Sequence, residues 1–183
     1  ITYSVTNGNL MVQDVANDTW DAPVRIEATL PQMPGLRAEI RGLSWTHVAS
    51  DIHYVHMATD NGTNRAMAMQ VRDPWDATMV ALFYTALDNS VTNRGDIEGQ
   101  QPVTLAMQRD QAGAASHFKD GILLGTGVST GAIDRFSLRL AQYQSYAYTP
   151  IQIDRIWVRP YVSPEPTVQA GAIPSPWSHR RSL

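Results

Sequence analysis

The chain has 183 residues, 43% of them apolar and 17% charged, with a formal net charge of −3 and no cysteine. A domain of roughly 150 residues buries about two-thirds of its unfolded surface and needs no staple, and the missing thiols exclude a disulfide framework, thiolate nucleophiles and Cys-ligated zinc. The acidic balance lacks the basic stripe of a nucleic-acid binder, and no apolar run approaches the about 20 residues of a membrane-spanning helix.

Residues 1–14 open with two alternating runs around Asn7-Gly8, a type I′ hairpin signal because both central positions want positive φ. Residues 22–30 alternate Val24, Ile26, Ala28 and Leu30 against Arg25, Glu27 and Thr29, and residues 36–41 alternate Leu36, Ala38 and Ile40 against Arg37, Glu39 and Arg41. Both read as half-buried antiparallel strands. Residues 52–58 and 65–72 flank a polar turn, and residues 78–87 are apolar on both faces, as a central strand would be. Residues 88–101 read as a long polar loop. Strands follow over 103–109, 115–124 and 135–143, separated by loops at 110–113 and 125–131.

The closing stretch, residues 151–162, fixes the end of the domain. Ile151 and Ile153 share one face, but Ile156 and Val158 fall out of phase with them. One extra residue at Asp154-Arg155, a β-bulge, keeps all four toward the core. Pro160 ends the pairing or confines it to an edge.

About eleven strands at short intervals, with no amphipathic helix, predict an all-β antiparallel fold over residues 1–162, a two-sheet sandwich or a barrel. The expected core holds Val24, Ile26, Leu36, Ile40, Phe83, Leu105, Phe136, Leu138, Ile153, Ile156 and Val158. Residues 163–183 are rich in Pro, Ser and Gly and read as an extended C-terminal arm.

Three segments carry a family resemblance: the opening YSVTNGNLMVQD, HFKDGILLGTG, and IDRIWVRPYVSPEPTV. Together they resemble a concanavalin A-like (laminin G/glucanase-type) jelly-roll domain of the kind found in large prokaryotic surface proteins. The resemblance covers roughly residues 3–162 and implies that the first and last strands lie close together. Glycosidases of that fold carry Glu-x-Asp-x-x-Glu on a strand, with carboxylates flanking the scissile bond. This sequence lacks the pattern, so no catalytic residue and no enzymatic activity are expected.

The candidate sites are therefore sites of binding. Tyr143, Tyr146 and Tyr148 crowd the loop before the closing strand, with Trp45 and Trp75 near other loops; flat rings of this kind stack on apolar sugar faces. In the arm, Trp177, Ile173 and Val168 offer the apolar surface by which an extended segment orders against a neighbour. Asn17 and Asn61 stand in Asn-x-Thr acceptors for glycosylation. Asp60, Asn61 and Asn64 give hard oxygen ligands for calcium, though an Asx turn explains the same residues. His53 and His56, three apart on a strand, point to opposite faces and are no chelating pair. Arg94-Gly95-Asp96 matches an adhesion tripeptide on a predicted loop.

Two functions fit these readings. The first is a non-enzymatic extracellular, cell-surface or virion protein that assembles with copies of itself or another structural subunit. The second is a carbohydrate-binding module. A glycoside hydrolase or lyase stands third. No resident cofactor is expected apart from the calcium reading.

Overall fold

The computed structural model describes residues 2–6, 9–13, 24–31, 35–45, 52–60, 65–72, 82–97, 102–143 and 151–163. They form fourteen strands: β1 (Thr2–Thr6), β2 (Asn9–Gln13), β3 (Val24–Thr29), β4 (Leu36–Leu43), β5 (Ile52–Asp60), β6 (Arg65–Arg72), β7 (Leu82–Leu87), β8 (Ser90–Asp96), β9 (Val103–Arg109), β10 (Ala114–Lys119), β11 (Ile122–Val128), β12 (Arg135–Tyr143), β13 (Ile151–Ile153) and β14 (Arg155–Pro160). All the pairings are antiparallel.

Two layers result. One runs β3-β12-β5-β6-β7-β8. The other runs β11-β10-β9-β4-β14, and continues into β13-β2-β1 through the Ser44 and Gln152 backbones, which exchange hydrogen bonds of 3.0 and 2.8 Å. The opening hairpin therefore meets the closing strand, as the resemblance implied. Between the layers, Met57, Met69, Phe136 and Leu138 from the first face Leu36, Ile40, Leu105 and Met107 from the second, all essentially inaccessible to water. Ile153 is buried with them, and Ile26, Ile156 and Val158 pack half-buried against this core. The side chains of Val24 and Phe83 lie outside the described residues.

The phase slip at Asp154 is real, and it has a twin. Arg41 pairs with Arg155, and Ser44 bridges to Gln152. The closing strand thus keeps its register on β4 straight through the interruption. Against β9, however, β4 shifts register between Ile40 and Leu43, where Gly42 takes a φ of +63°. Both strands change face together, so Leu36, Ala38 and Ile40 before the bulge and Leu43 and Trp45 after it all reach the core. Truncating Ile156 to Ala should cost about 2 kcal/mol, the low end for an aliphatic core residue, because its side chain is only partly buried. A urea melt showing a few tenths of a kcal/mol would remove Ile156 from the core.

Two expected loops prove to be strand. Residues 90–96 form β8, reached from β7 by a tight turn with Asp88 and Asn89 at φ 42° and 67°. Asp and Asn tolerate that left-handed geometry, and the polar residues that follow are polar because β8 is a terminal strand. Residues 125–128 belong to β11 despite Gly125 and Gly127. Side chains from the other layer lie over those glycines: a Cβ at 125 would stand 2.3 Å from an Arg94 guanidinium nitrogen, and one at 127 would stand 2.5 Å from a Leu87 methyl.

Candidate functional site

The outward face of the five-stranded layer follows from strand parity. With Leu36, Ala38 and Ile40 turned inward, β4 presents Arg37, Glu39 and Arg41. By the same alternation β9 presents Thr104, Ala106 and Gln108, β10 presents Ser116 and Phe118, and β14 presents Arg155, Trp157 and Arg159. The register sets them in rows. Glu39 stands beside Trp157 on one side and Ala106 on the other, and Ala106 stands beside Phe118. Because Ala106 is small, the row dips between the glutamate and the phenyl ring. The groove there measures about 410 Å³ and is lined by Arg37, Glu39, Arg41, Thr104, Ala106, Phe118, Asp120 and Gly121.

Glu39 organises the groove. It is 6% exposed, with Arg37 Nη2 donating to it at 3.1 Å and Arg41 Nε also donating. Burial on its own would raise the Glu39 carboxyl, but the hydrogen bonds and charges of Arg41 and Arg37 outweigh it and hold the group below the usual carboxylate range. The other arm of Arg37 donates from Nη1 to Gln108 Oε1 at 2.6 Å, and Gln108 Nε2 donates to the Tyr161 hydroxyl at 3.2 Å. The guanidinium carbon of Arg37 lies 5.4 Å from the centre of the Phe118 ring; those of Arg41 and Arg155 lie 4.4 and 5.3 Å from Trp157. Each arginine is thus fixed by a carboxylate, an aromatic face or both. One carboxylate serves two arginines, and with Arg155 and Arg159 alongside, the face is cationic on an acidic protein.

The sequence candidates fall differently. Trp45 is 6% exposed and packed in the core, so its ring is no open platform; it follows the Gly42 bulge, which turns it inward. Tyr143 ends β12, with its side chain outside the described residues, as are Tyr146, Tyr148, Trp75, Trp177, Ile173, Val168, Asn17, Asn61 and Asn64 altogether. Asp60 closes β5, with its Oδ1 3.9 Å from Arg135 Nε. His56 is buried on β5. Among the described residues no group of three or more His, Cys, Asp or Glu could hold a metal ion. Arg94 of the Arg-Gly-Asp tripeptide is not displayed on a loop: it lies on β8, packs over Gly125 and donates from Nε to Thr85 Oγ1 at 2.9 Å.

The alternation over residues 36–41 sets Arg37, Glu39 and Arg41 opposite the core positions, without joining them to anything else as a site. The available signal was Arg-x-Glu-x-Arg at strand spacing, which puts a shared counter-ion between two cations. What joins β4 to β14 and β10 is long-range pairing, invisible to local pattern.

No family model matches the chain, and no curated protein does. Solved structures do. The CBM2 module of the evolved Dit of Lactobacillus casei BL23 phage J-1 matches with a TM-score of 0.67 at 9% identity, over 86% of this chain and 78% of that one. An alginate lyase from Corynebacterium sp. matches with a TM-score of 0.60 at 12% identity, over 86% and 80%. A sialidase gives 0.61 at 14% identity over 86% of this chain, which spans only 16% of the sialidase chain. These are likenesses of fold, and the fold is the jelly-roll β-sandwich.

Proposed function

We propose that this protein is a carbohydrate-binding domain without catalytic activity, and that an anionic glycan lies along the outward face of the five-stranded layer. The observation that carries the reading is the Arg37–Glu39–Arg41 row held between Phe118 and Trp157. Planar guanidinium groups pair with sugar carboxylates or sulfates in bidentate fashion, and the flanking rings offer apolar faces to the sugar. Glu39 pre-orders the two arginines before the ligand arrives, which lowers the entropic cost of binding. The neighbours support the substrate class: one is a carbohydrate-binding module, another acts on alginate, a carboxylated polysaccharide. Glu39, the buried carboxylate of the groove, is held ionised by its two arginines and so is not set up as a general acid. For a domain that holds such a glycan, the place proposed is outside the cell, on a cell surface or a virion.

The test is calorimetric titration with oligosaccharides of uronic acid and, for comparison, neutral glucan. The Arg37→Ala/Arg41→Ala protein should bind the uronate roughly 100-fold more weakly, with the wild-type affinity falling as salt rises. Equal binding of neutral glucan, or an unchanged double variant, would refute the reading. Replacing Tyr143, Tyr146 and Tyr148 together by Ala should leave the affinity intact; a loss there would move the site to the tyrosines.

A further inference from the structure

We infer that the outer edge of β11 is a self-association surface, on which a second copy of this chain docks antiparallel so that the two five-stranded layers run on as one sheet. The inference stands on different residues from the arginine face and is independent of what that face binds.

β11 is the last strand of its layer, and β8 is the last strand of the other. Both end on the same side of the molecule, since Arg94 of β8 packs against Gly125 and Leu87 of β7 against Gly127. Three of the six large apolar side chains exposed among the described residues lie on this strand: Ile122 at 65%, Leu123 at 53% and Val128 at 66%. Terminal strands ordinarily guard themselves with charge, proline or a bulge. β14 carries Arg155, Arg159 and Pro160, β3 carries Arg25 and Glu27, and β8 carries Arg94 and Asp96 around Gly95 at φ 88°, while β1, where the continuation through β13 and β2 ends, is a short uncharged strand of five residues. From Gly121 through Gly131, by contrast, there is no charged residue and no proline. The one irregularity in β11 lies opposite His117 and Phe118, and it leaves Gly125 to Val128 in regular register on β10.

The backbone fixes how a second copy would sit. Ser129 N–H donates to Gly113 C=O at 2.9 Å, within the same register that pairs Gly127 with Ala115. Antiparallel strands alternate the direction of their polar groups, so Thr126 and Val128 turn their N–H and C=O away from β10, toward the edge. A two-fold axis through Gly127 sets Thr126 opposite Val128 of the second copy and Val128 opposite its Thr126. Each pair then exchanges both backbone hydrogen bonds and stacks two β-branched side chains. Gly127 suits the axis because it brings no side chain of its own. The contact is isologous and closes as a dimer. The three apolar side chains bring on the order of 300 Å² per copy, under half of what one partner contributes to a standard interface, and strand backbone and rim supply the rest.

Sedimentation velocity on the full chain, from about 1 to about 100 µM, tests this with Val128→Lys, Thr126→Pro and, far from the edge, Val162→Lys. The wild type and Val162→Lys should dimerise in this range. Val128→Lys and Thr126→Pro should dissociate at least about tenfold more readily, with unchanged circular dichroism and melting temperature. Thr126→Pro removes an outward N–H, so its effect reads the backbone ladder rather than charge. A wild type that stays monomeric at the top concentration would overturn the inference. So would a dimer that both edge variants leave intact, or one that Val162→Lys weakens as much as they do.

Discussion

Replacing Gly42 with valine should cost about 3 kcal/mol or more and lower the melting temperature by about 6–12 °C. Two effects add. A φ of +63° is a left-handed conformation that a β-branched residue scarcely adopts. A side chain there would also meet the closing strand, because a Cβ at position 42 stands 2.7 Å from the Cβ of Asp154. The two strands are coupled at this point: Asp154 N–H donates to Arg41 C=O at 3.0 Å, and both strands change face here. Asp154→Gly should relieve the collision but not the dihedral strain. The Gly42→Val/Asp154→Gly protein should therefore recover part of the loss, and the double-mutant cycle should show a coupling of about 1 kcal/mol. Urea melts of the four proteins measure it. A Gly42→Val protein as stable as wild type would mean that the paired bulge does not lock the last strand to β4.

The same bulge shows what a sequence can and cannot disclose. Ile151, Ile153, Ile156 and Val158 announce an extra residue by parity alone, because a strand with one buried face tolerates no slip. Nothing near Gly42 announces its twin. The residues before it alternate cleanly, and the need for a matching extra residue arises only when β14 lies beside β4, far away along the chain. Gly125 and Gly127 misled in the opposite direction. In sequence they punctuate; in the fold they make room for Arg94 and Leu87 arriving from the other layer. The arginine face obeys the same logic. Arg37, Glu39 and Arg41 are recognisable as an outer face from β4 alone, but Trp157 and Phe118 become their neighbours only through pairings with β14 and through β9 to β10. Aromatic clusters that are local in sequence, such as Tyr143, Tyr146 and Tyr148, draw attention for the converse reason.

Mild acid should destabilise the fold, and His117 should account for much of the loss above pH 4. Its side chain points inward from β10 and is 1% exposed. Burial lowers its pKa first, the Arg94 charge lowers it further, and hydrogen bonding to the backbone of Ala68 and Ala86 only partly opposes them, so the ring is pushed from 6.5 down to about 4. In the unfolded chain the same ring takes up a proton near pH 6.5. Between those two values the unfolded state binds more protons than the folded one, so stability falls as the pH falls. Below about 4 both states are protonated and His117 adds no further loss. The whole drop amounts to on the order of 3 kcal/mol. Carboxylates work in a lower window. Asp88 accepts hydrogen bonds from Ser129 Oγ, the Thr130 N–H and hydroxyl, and the Gly131 N–H, which together outweigh its burial and hold its pKa below 3.8. Its contribution is complete above the unfolded pKa and is lost as the pH falls through the folded one, so it shows only at the acid end. Glu39, lowered from 4.5 by Arg41 and Arg37 against its burial, belongs with it. His117→Gln keeps a polar side chain of similar reach but removes the titration. Unfolding free energies at pH 7, 5.5 and 4 should then decline steeply for the wild type and much less for His117→Gln. The two proteins should run parallel again where Asp88 and Glu39 take over. Parallel profiles over the entire range would show that the ring is charged inside the fold or already reached by water, and the buried neutral imidazole would have to be abandoned.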